Sequence, residues 1–390
     1  MMTKKKILLF VPSNDGTTIA GLSLNLLNAI KEQTNMDVKV ALIYKFKHGK
    51  VDFGDCIYFS ETNNGNKYFS QIQKVKWFKK IKKEYNPDIT INTLFICSII
   101  CVLSGGNDKK IGIFHSPHAQ AAVKGQLSLF LSFISYVFIY SRLDKLFCVS
   151  QEIADSIKRN FKFIKKSKIQ IVYNIHNVDY IRKSSEERIS EIYKEIFDNN
   201  VVLYCGRLDK NKAPERLLNA FILALPNINE NAKLVFMGAD TDNLWNIMLA
   251  KIKEYKLENR VYYIGIQDNP YKFIKSSYVF VSCSYSEGLP GVIIESLILK
   301  TPVISTNSSI GIWEIMSVSA KYKVDLNQNY ETTYGLITPN NAYKDINLEQ
   351  SDIIQLSKAL ESVFLKNYSF EKFEFETQIS SAQVVKSFVE

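Results

Sequence analysis

No two of the six cysteines in this 390-residue chain (Cys56, Cys97, Cys101, Cys148, Cys205 and Cys283) stand in CxxC spacing, and most lie in apolar runs. That argues against a disulfide framework or a thiolate metal site and fits small buried hydrophobes in a reducing compartment. Repeats at solenoid periods and low-complexity stretches are absent, so arrays and disordered classes are set aside. No zinc-ligand spacing, aromatic RNA-binding strand or helix-turn-helix pattern is present to support a nucleic-acid-binding reading. The apolar run behind Lys4-Lys5-Lys6 is only Ile7–Val11, five residues before Pro12. A signal core needs about 7–15 apolar residues, so a first buried strand and a cytoplasmic location are expected. Histidine is scarce too, at four positions: 48, 115, 118 and 176.

Charge is plentiful but uneven. Residues 1–185 carry 28 Lys and Arg against 13 Asp and Glu, a net of +15, whereas the remainder carries 21 against 26, a net of −5. Such asymmetry suggests that the first half faces an anionic partner, with a lysine-rich solvated surface as the plainer alternative. One stretch of that half, Gly125–Ser141, holds no charged residue over 17 positions. It is short of the ~20 apolar residues that span a bilayer. A buried helix, or a helix with one apolar face laid on a membrane surface, are the two readings it leaves.

Along the whole chain, short β-rich apolar runs alternate with helical spacing. Ile7–Val11, Val38–Tyr44, Ile89–Asn92, Lys110–Phe114, Lys145–Val149 and Ile169–Tyr173 read as strands. So do Val201–Cys205, Lys233–Met237, Val261–Ile264, Tyr278–Val281 and Thr301–Ser305. Helices are expected between them, among them Gly21–Glu32, Tyr68–Glu84, Ala213–Leu225, Leu244–Tyr255, Gly291–Leu299 and Ile353–Leu365. Alternation of this kind gives parallel sheets with helices on both faces. The expectation is an α/β chain of two domains, 1–180 and 181–365, facing across a cleft, with 366–390 packing back toward the first. Open α/β sheets bind ligands at the carboxyl ends of their strands, so two such domains suit a two-substrate enzyme.

The richest segment runs from Ser284 to Leu297. A strand ends near Cys283, the turn Glu287-Gly288-Leu289-Pro290 follows, and a helix opens at Gly291. The first turn of a helix offers free N–H groups and a positive dipole end, which suits an anion or sugar oxygens. Glu287 can accept hydrogen bonds from sugar hydroxyls, and Glu295, one turn into the helix, can reach a ribose. Taken alone, these carboxylates read equally well as a helix start that offsets its own dipole. Upstream, Gly206 ends a strand, and Arg207 and Lys212 bring two cations to one loop. Arginine grips phosphate in bidentate fashion and lysine adds a mobile point charge. Asp240-Thr241-Asp242 is a rival motif, a DxD able to bind a divalent cation, but it follows a strand of the second domain.

The surroundings favour the first of these readings. Glu287-Gly288-Leu289-Pro290 followed by Glu295 resembles the EGLP…E signature of the retaining GT-B glycosyltransferases of family 4, glycosyl transferases group 1. Thr301–Thr306 is similar to that family's PVV(S/A)T strand, Ser308–Ile315 to its GG-x-x-E-I turn and Tyr334–Pro339 to its closing strand. Tyr204–Lys212 is similar to its G-R-L-x-x-x-K loop, with Ala213 where the family usually has glycine. Order and spacing agree across residues 200–340. In the first half the likeness is thinner: Ala20-Gly21, with Gly16 nearby, stands for the family's glycine pair, and Ile111–His118 for its strand running into a histidine.

The resemblance implies a GT-B fold of two Rossmann-like domains and a sugar moved from a nucleotide-diphosphate donor, a UDP-sugar by frequency in the family. Glu287 would orient the sugar, Glu295 the ribose, Arg207 and Lys212 the diphosphate, with Gly206, Gly288, Leu289 and Pro290 shaping the site. His115 would line the anomeric centre, with His118, Gly16 and Gly21 contributing to binding. It further implies no cofactor and no metal, the nucleotide-sugar being a substrate. The basic first half points to a glycan or lipid-linked acceptor at the inner face of the cell membrane, in surface polysaccharide, lipopolysaccharide or glycolipid synthesis. The alternatives are a catalytically silent scaffold on the membrane or a nucleic-acid-binding protein.

Overall fold

The computed structural model describes residues 4–15, 18–60, 67–115, 136–317, 326–366 and 368–389. Contacts divide the chain into two compact units, Met1–Asn177 with Thr377–Glu390, and Val178–Glu376.

The first unit is built on strands β1 (Lys6–Ser13), β2 (Asp37–Tyr44), β3 (Cys56–Ser60), β4 (Ile89–Asn92), β5 (Lys109–Phe114), β6 (Lys145–Cys148) and β7 (Ile169–Ile171). Their order is β3-β2-β1-β4-β5-β6-β7, and every pairing is parallel. Strand residues alternate between faces, and β1 shows the consequence. Leu8 and Phe10 join one core layer with Phe78, Ile81, Tyr85, Cys97 and Ile100. Ile7, Leu9 and Val11 join the opposite layer with Leu27, Ile30 and Val384. Both faces are thus covered by helices, which is why the strand reads as continuously apolar.

In the second unit the strands are β8 (Val201–Cys205), β9 (Lys233–Met237), β10 (Val261–Tyr263), β11 (Val279–Ser282), β12 (Val303–Thr306), β13 (Tyr330–Thr332) and β14 (Gly335–Thr338). The order is β10-β9-β8-β11-β12-β14-β13, parallel except for the antiparallel β13–β14 pair. In each sheet the chain starts centrally, winds outward one way and then the other. The switch points fall between β1 and β4 and between β8 and β11, where doubly wound sheets open a crevice. Residues 366–376 stay with the second unit, because Phe370 and Phe373 pack edge-on against Tyr334 and Arg182 meets Glu376 at 2.7 Å. The helix Ser381–Val389 belongs to the first, with Phe388 against Phe147.

All six cysteines are free. Burial pushes the thiols of Cys148, Cys205 and Cys283 up to about 12, so each behaves as a small hydrophobe. Some of the first half's positive charge is internal. Lys82 lies buried 3.0 Å from Asp108 and also donates to the Gly105 carbonyl, while Lys110 reaches the same carboxylate at 3.4 Å. Of Gly125–Ser141, only 136–141 falls within the described residues. That part is helical, with Ile139 and Tyr140 in the core and Tyr140 edge-on to Phe114 and Phe161. No helix among the described residues is long and apolar enough to cross a membrane.

Candidate active site

The loop after β8 is held to the loop after β9 by backbone pairing that outlasts the strands. Gly206 N–H donates to the Met237 carbonyl (2.9 Å) and Leu208 N–H to Ala239 (2.7 Å). The approach is close enough that a Cβ on Gly238, at φ +137°, would collide with the Gly206 carbonyl. Beyond it, Asp209 organises the loop. One carboxylate oxygen accepts from the Lys212 N–H (2.8 Å) and the other pairs with Arg207 (2.9 Å), whose side chain remains 63% exposed. The loop closes with Ala213 in the left-handed region (φ 47°, ψ 54°), capping the helix Pro214–Ala224.

That conformation explains why this position favours glycine. An L-residue there carries a cost of about 1–2 kcal/mol, partly offset by the smaller unfolded-state entropy of alanine. Ala213→Gly is therefore expected to raise the melting temperature by a few degrees, measured by calorimetry. An unchanged or lower melting temperature would show that the methyl's burial outweighs the backbone relief.

The turn after β11 is stitched to two neighbours. Tyr285 N–H donates to the Asn211 carbonyl (2.8 Å), and Asn211 returns a bond to the Ser286 carbonyl (3.0 Å). The Cys283 thiol donates to the Ala213 carbonyl (3.0 Å). On the other side, Glu287 N–H donates to Ser308 O (3.2 Å), Thr306 Oγ1 to Ser284 O (2.7 Å) and Ser309 Oγ to Gly288 O (2.8 Å). Gly311 backs this turn, since a Cβ there would lie 2.5 Å from the Gly288 carbonyl and 3.1 Å from Leu289. Pro290, buried and extended, then starts the helix Gly291–Ile298. The carboxyl ends of β8, β11 and β12 therefore converge on one locus beside the switch point.

Here Lys212 Nζ meets Glu287 Oε1 at 2.5 Å, with side chains 29% and 11% exposed. The pair joins the β8 loop to the β11 turn. Glu295, one turn into the helix, is half-buried, and burial alone pushes its carboxyl up to about 7. It lies close enough to raise the Cys205 thiol and the Tyr271 hydroxyl. The folded carboxyl thus holds its proton where an unfolded one, near 4.5, has lost it. The folded state then binds more protons than the unfolded one between about 4.5 and 7. Stability attributable to Glu295 is present below that window and falls as pH rises through it. Glu295→Gln is expected to match the parent in urea denaturation near pH 4 and to exceed it above pH 7. Equal stability at both pH values would contradict the shift.

Asp240 and Asp242 are occupied otherwise. Asp240 accepts from the Leu244 and Trp245 N–H groups at the start of the helix Leu244–Glu254 (2.8 and 3.1 Å), and Asp242 from the Lys210 N–H (3.0 Å). Among the described residues no group of three acidic, histidine or cysteine side chains stands ready to hold a metal.

In the first unit, His115 directly follows β5 and lines a concavity of about 370 Å³, including space open to solvent, with Leu22, Thr93, Asn174 and Phe388. Burial lowers its imidazole to about 4, against a backbone hydrogen bond at Thr93 that works the other way. The ring is neutral at physiological pH. Gly21 sits in the helix Thr18–Gln33, with no heavy atom within 4 Å of where a Cβ would stand, so packing within the chain does not require glycine there. Gly16 and His118 lie outside the described residues. The structure thus brings Gly206, Arg207, Lys212, Glu287, Gly288, Leu289, Pro290 and Glu295 together in the second unit, and places His115 and Gly21 in the first.

Two helix-covered sheets wound in this order, with loops converging at the carboxyl ends of the second, define the GT-B class. A family model described as Glycosyltransferase Family 4 matches residues 21–180, and one described as Glycosyl transferases group 1 matches residues 185–321. An uncharacterized glycosyltransferase of Methanocaldococcus jannaschii is 29% identical over 331 residues, 82% of this chain and 80% of that one. The Campylobacter jejuni α-1,4-N-acetyl-D-galactosaminyltransferase acting on an undecaprenol diphosphate-linked glycan is 27% identical over 276 residues, 70% of this chain and 66% of its own. The crystal structure of Anabaena HepE in complex with UDP superposes with a TM-score of 0.66 at 14% identity, covering 98% of this chain and 99% of that one. This chain belongs to the GT-B glycosyltransferases of the group 1, family 4 type, and is a glycosyltransferase.

Reading the sequence by itself missed the residues that hold the site together: Asp209, Asn211, Arg216 and Asn340. The signal for Arg216 was visible, a cation facing the core inside the apolar helical run Arg216-Leu217-Leu218.

Proposed function

We propose that this enzyme transfers a hexosyl unit from a UDP-sugar to a glycan or lipid-linked acceptor, with retention of anomeric configuration and without a metal. The observation that carries the reading is the Lys212–Glu287 pair, which joins the loops of the two strands flanking the switch point. A cation and a carboxylate side by side suit the two halves of a sugar diphosphate: lysine for the bridging phosphates, glutamate for the sugar hydroxyls. The UDP held by Anabaena HepE and the undecaprenol-linked acceptor of the Campylobacter relative support donor and acceptor classes.

In the step proposed, the bond between the anomeric carbon and the β-phosphate oxygen breaks. The acceptor oxygen forms its bond on the same face of the sugar, and its proton passes to the departing phosphate. Arg207 and Lys212 offset the charge that grows on the diphosphate, which favours the transition state over the ground state. Asp240 and Asp242 already serve backbone N–H groups, consistent with chemistry that uses these cations instead of a metal. Neutral His115 would line the anomeric centre without taking a proton. Glu295 would receive the ribose hydroxyls. The enzyme would work at the anionic inner face of the cell membrane, drawn by its basic first half, in surface polysaccharide, lipopolysaccharide or glycolipid synthesis.

A melting-temperature screen across nucleotide sugars tests the donor. A ligand at 100 times its dissociation constant adds about 2.7 kcal/mol, and UDP-sugars should give the largest shift. Stabilisation by another nucleotide series would correct the base, and none by any series would remove the donor site. Sedimentation with anionic vesicles at low salt tests the membrane, since an enzyme left wholly in the supernatant is not held there by charge.

A further inference from the structure

Arg216 is 3% exposed, on the helix that follows the Lys212 loop. Its donors reach around the β11 turn. One terminal nitrogen donates to Asn340 Oδ1 (2.8 Å) and to the Cys283 carbonyl (3.3 Å), and the other to Asp352 (3.2 Å). Nε stands 3.1 Å from Glu349, and the guanidinium lies 4.8 Å from the centre of the Tyr285 ring. Asn340 uses its second end on the same turn, donating to the Tyr285 carbonyl (2.8 Å). The carbonyls of Cys283 and Tyr285 are thus both held, one by Arg216 and the other by the amide that Arg216 fixes. Glu287 is two residues further on.

We infer that Arg216 and Asn340 form a positioning clamp that sets Glu287 against Lys212 by gripping the Cys283–Tyr285 backbone. A leucine at 216 would fill the core, but it has no donors with which to grip carbonyls. A lysine has three donors on a point charge and lacks the planar fork that spans several acceptors. Asp352 and Glu349 anchor the cation from behind, and Asp352 also accepts from the Ala342 N–H (2.8 Å), locking the segment that carries Asn340. The clamp acts on the sugar end of the site, whereas the diphosphate end rests on Asp209 and the Gly206–Ala213 loop. Its catalytic meaning rests on the proposed role of Glu287, so it should influence kcat more than nucleotide binding.

The test uses Asn340→Ala, which leaves the Arg216 ion pairs in place, together with Arg216→Lys and the paired Arg216→Met/Asp352→Leu, which removes the buried carboxylate along with its cation and leaves only the 22% exposed Glu349 without Arg216. Amide exchange in the ligand-free protein is expected to quicken about tenfold or more at 285–288 in Asn340→Ala, with β11 unchanged. UDP affinity should stay within about threefold of the parent while kcat for UDP-sugar turnover falls about tenfold or more, without rescue by Arg216→Lys. Unaltered exchange at 285–288 overturns the clamp. So does an unaltered kcat, or a kcat restored with the melting temperature in the paired variant. A parent enzyme that neither binds UDP nor uses any UDP-sugar, while Asn340→Ala still exchanges faster, would instead overturn the donor reading and leave a clamp with no role in transfer.

Discussion

Replacing Lys212 by methionine is expected to lower turnover of the donor by about 10²–10³-fold, the range found when one preorganised charge-stabilising group is removed from an active site. Methionine keeps much of the stem's length and apolar packing, so the loss reports the ammonium. In the ligand-free enzyme that ammonium is held 2.5 Å from Glu287 and the backbone N–H of Lys212 is fixed by Asp209, so side chain and loop are both placed before donor arrives. Little reorganisation is then needed as charge develops on the leaving diphosphate. Arg207 is in a different position. Its side chain is largely solvent-exposed against Asp209, where ion pairs are screened and weak, and Arg207→Ala should cost less. Steady-state kinetics on both variants decides the ranking. A Lys212→Met enzyme within a few-fold of the parent would move the charge-stabilising role elsewhere.

Glu287→Gln is expected to move two quantities in opposite directions. Turnover should fall about 100-fold, because an amide oxygen accepts sugar hydroxyls less strongly than a carboxylate does. UDP, which lacks the sugar, should bind more tightly, because Lys212 is no longer engaged by a half-buried carboxylate and is free for the diphosphate. A variant that merely unfolds would lose both. Calorimetric titration of UDP alongside turnover distinguishes the cases, and weaker UDP binding by a folded variant would contradict the pairing as described.

Much of the second unit was legible because its strands are short apolar runs bounded by glycine and proline. The Glu287-Gly288-Leu289-Pro290 turn then sits where a strand must become a helix. What escaped has physical causes. Strand β3 is a half-exposed edge of the first sheet, and its apolar run, Cys56–Phe59, is only four residues long. The helix Phe95–Leu103 is apolar almost all round, so no 3.6-residue period marks it. Residues 366–376 were expected to leave with the chain's end, but Tyr334 gathers their aromatics into the second unit. At the site, the charged residues were readable and their holders were not. Asp209 and Asn340 act on backbone groups brought near by the fold, and nothing in local spacing reports that. Ala213 is the instructive middle case: the departure from glycine was visible, and its left-handed backbone gives it a conformational cost.

On this reading the loops after β8, β11 and β12 form a nucleotide-sugar site run by Lys212 and Glu287. The most direct measurement is release of nucleoside diphosphate from a panel of nucleotide sugars by the parent enzyme, Lys212→Met and Glu287→Gln. Release from a UDP-sugar is expected to persist in excess chelator and to drop about 100-fold or more in each variant. Release that continues undiminished in both folded variants, or that requires a divalent cation, would contradict it.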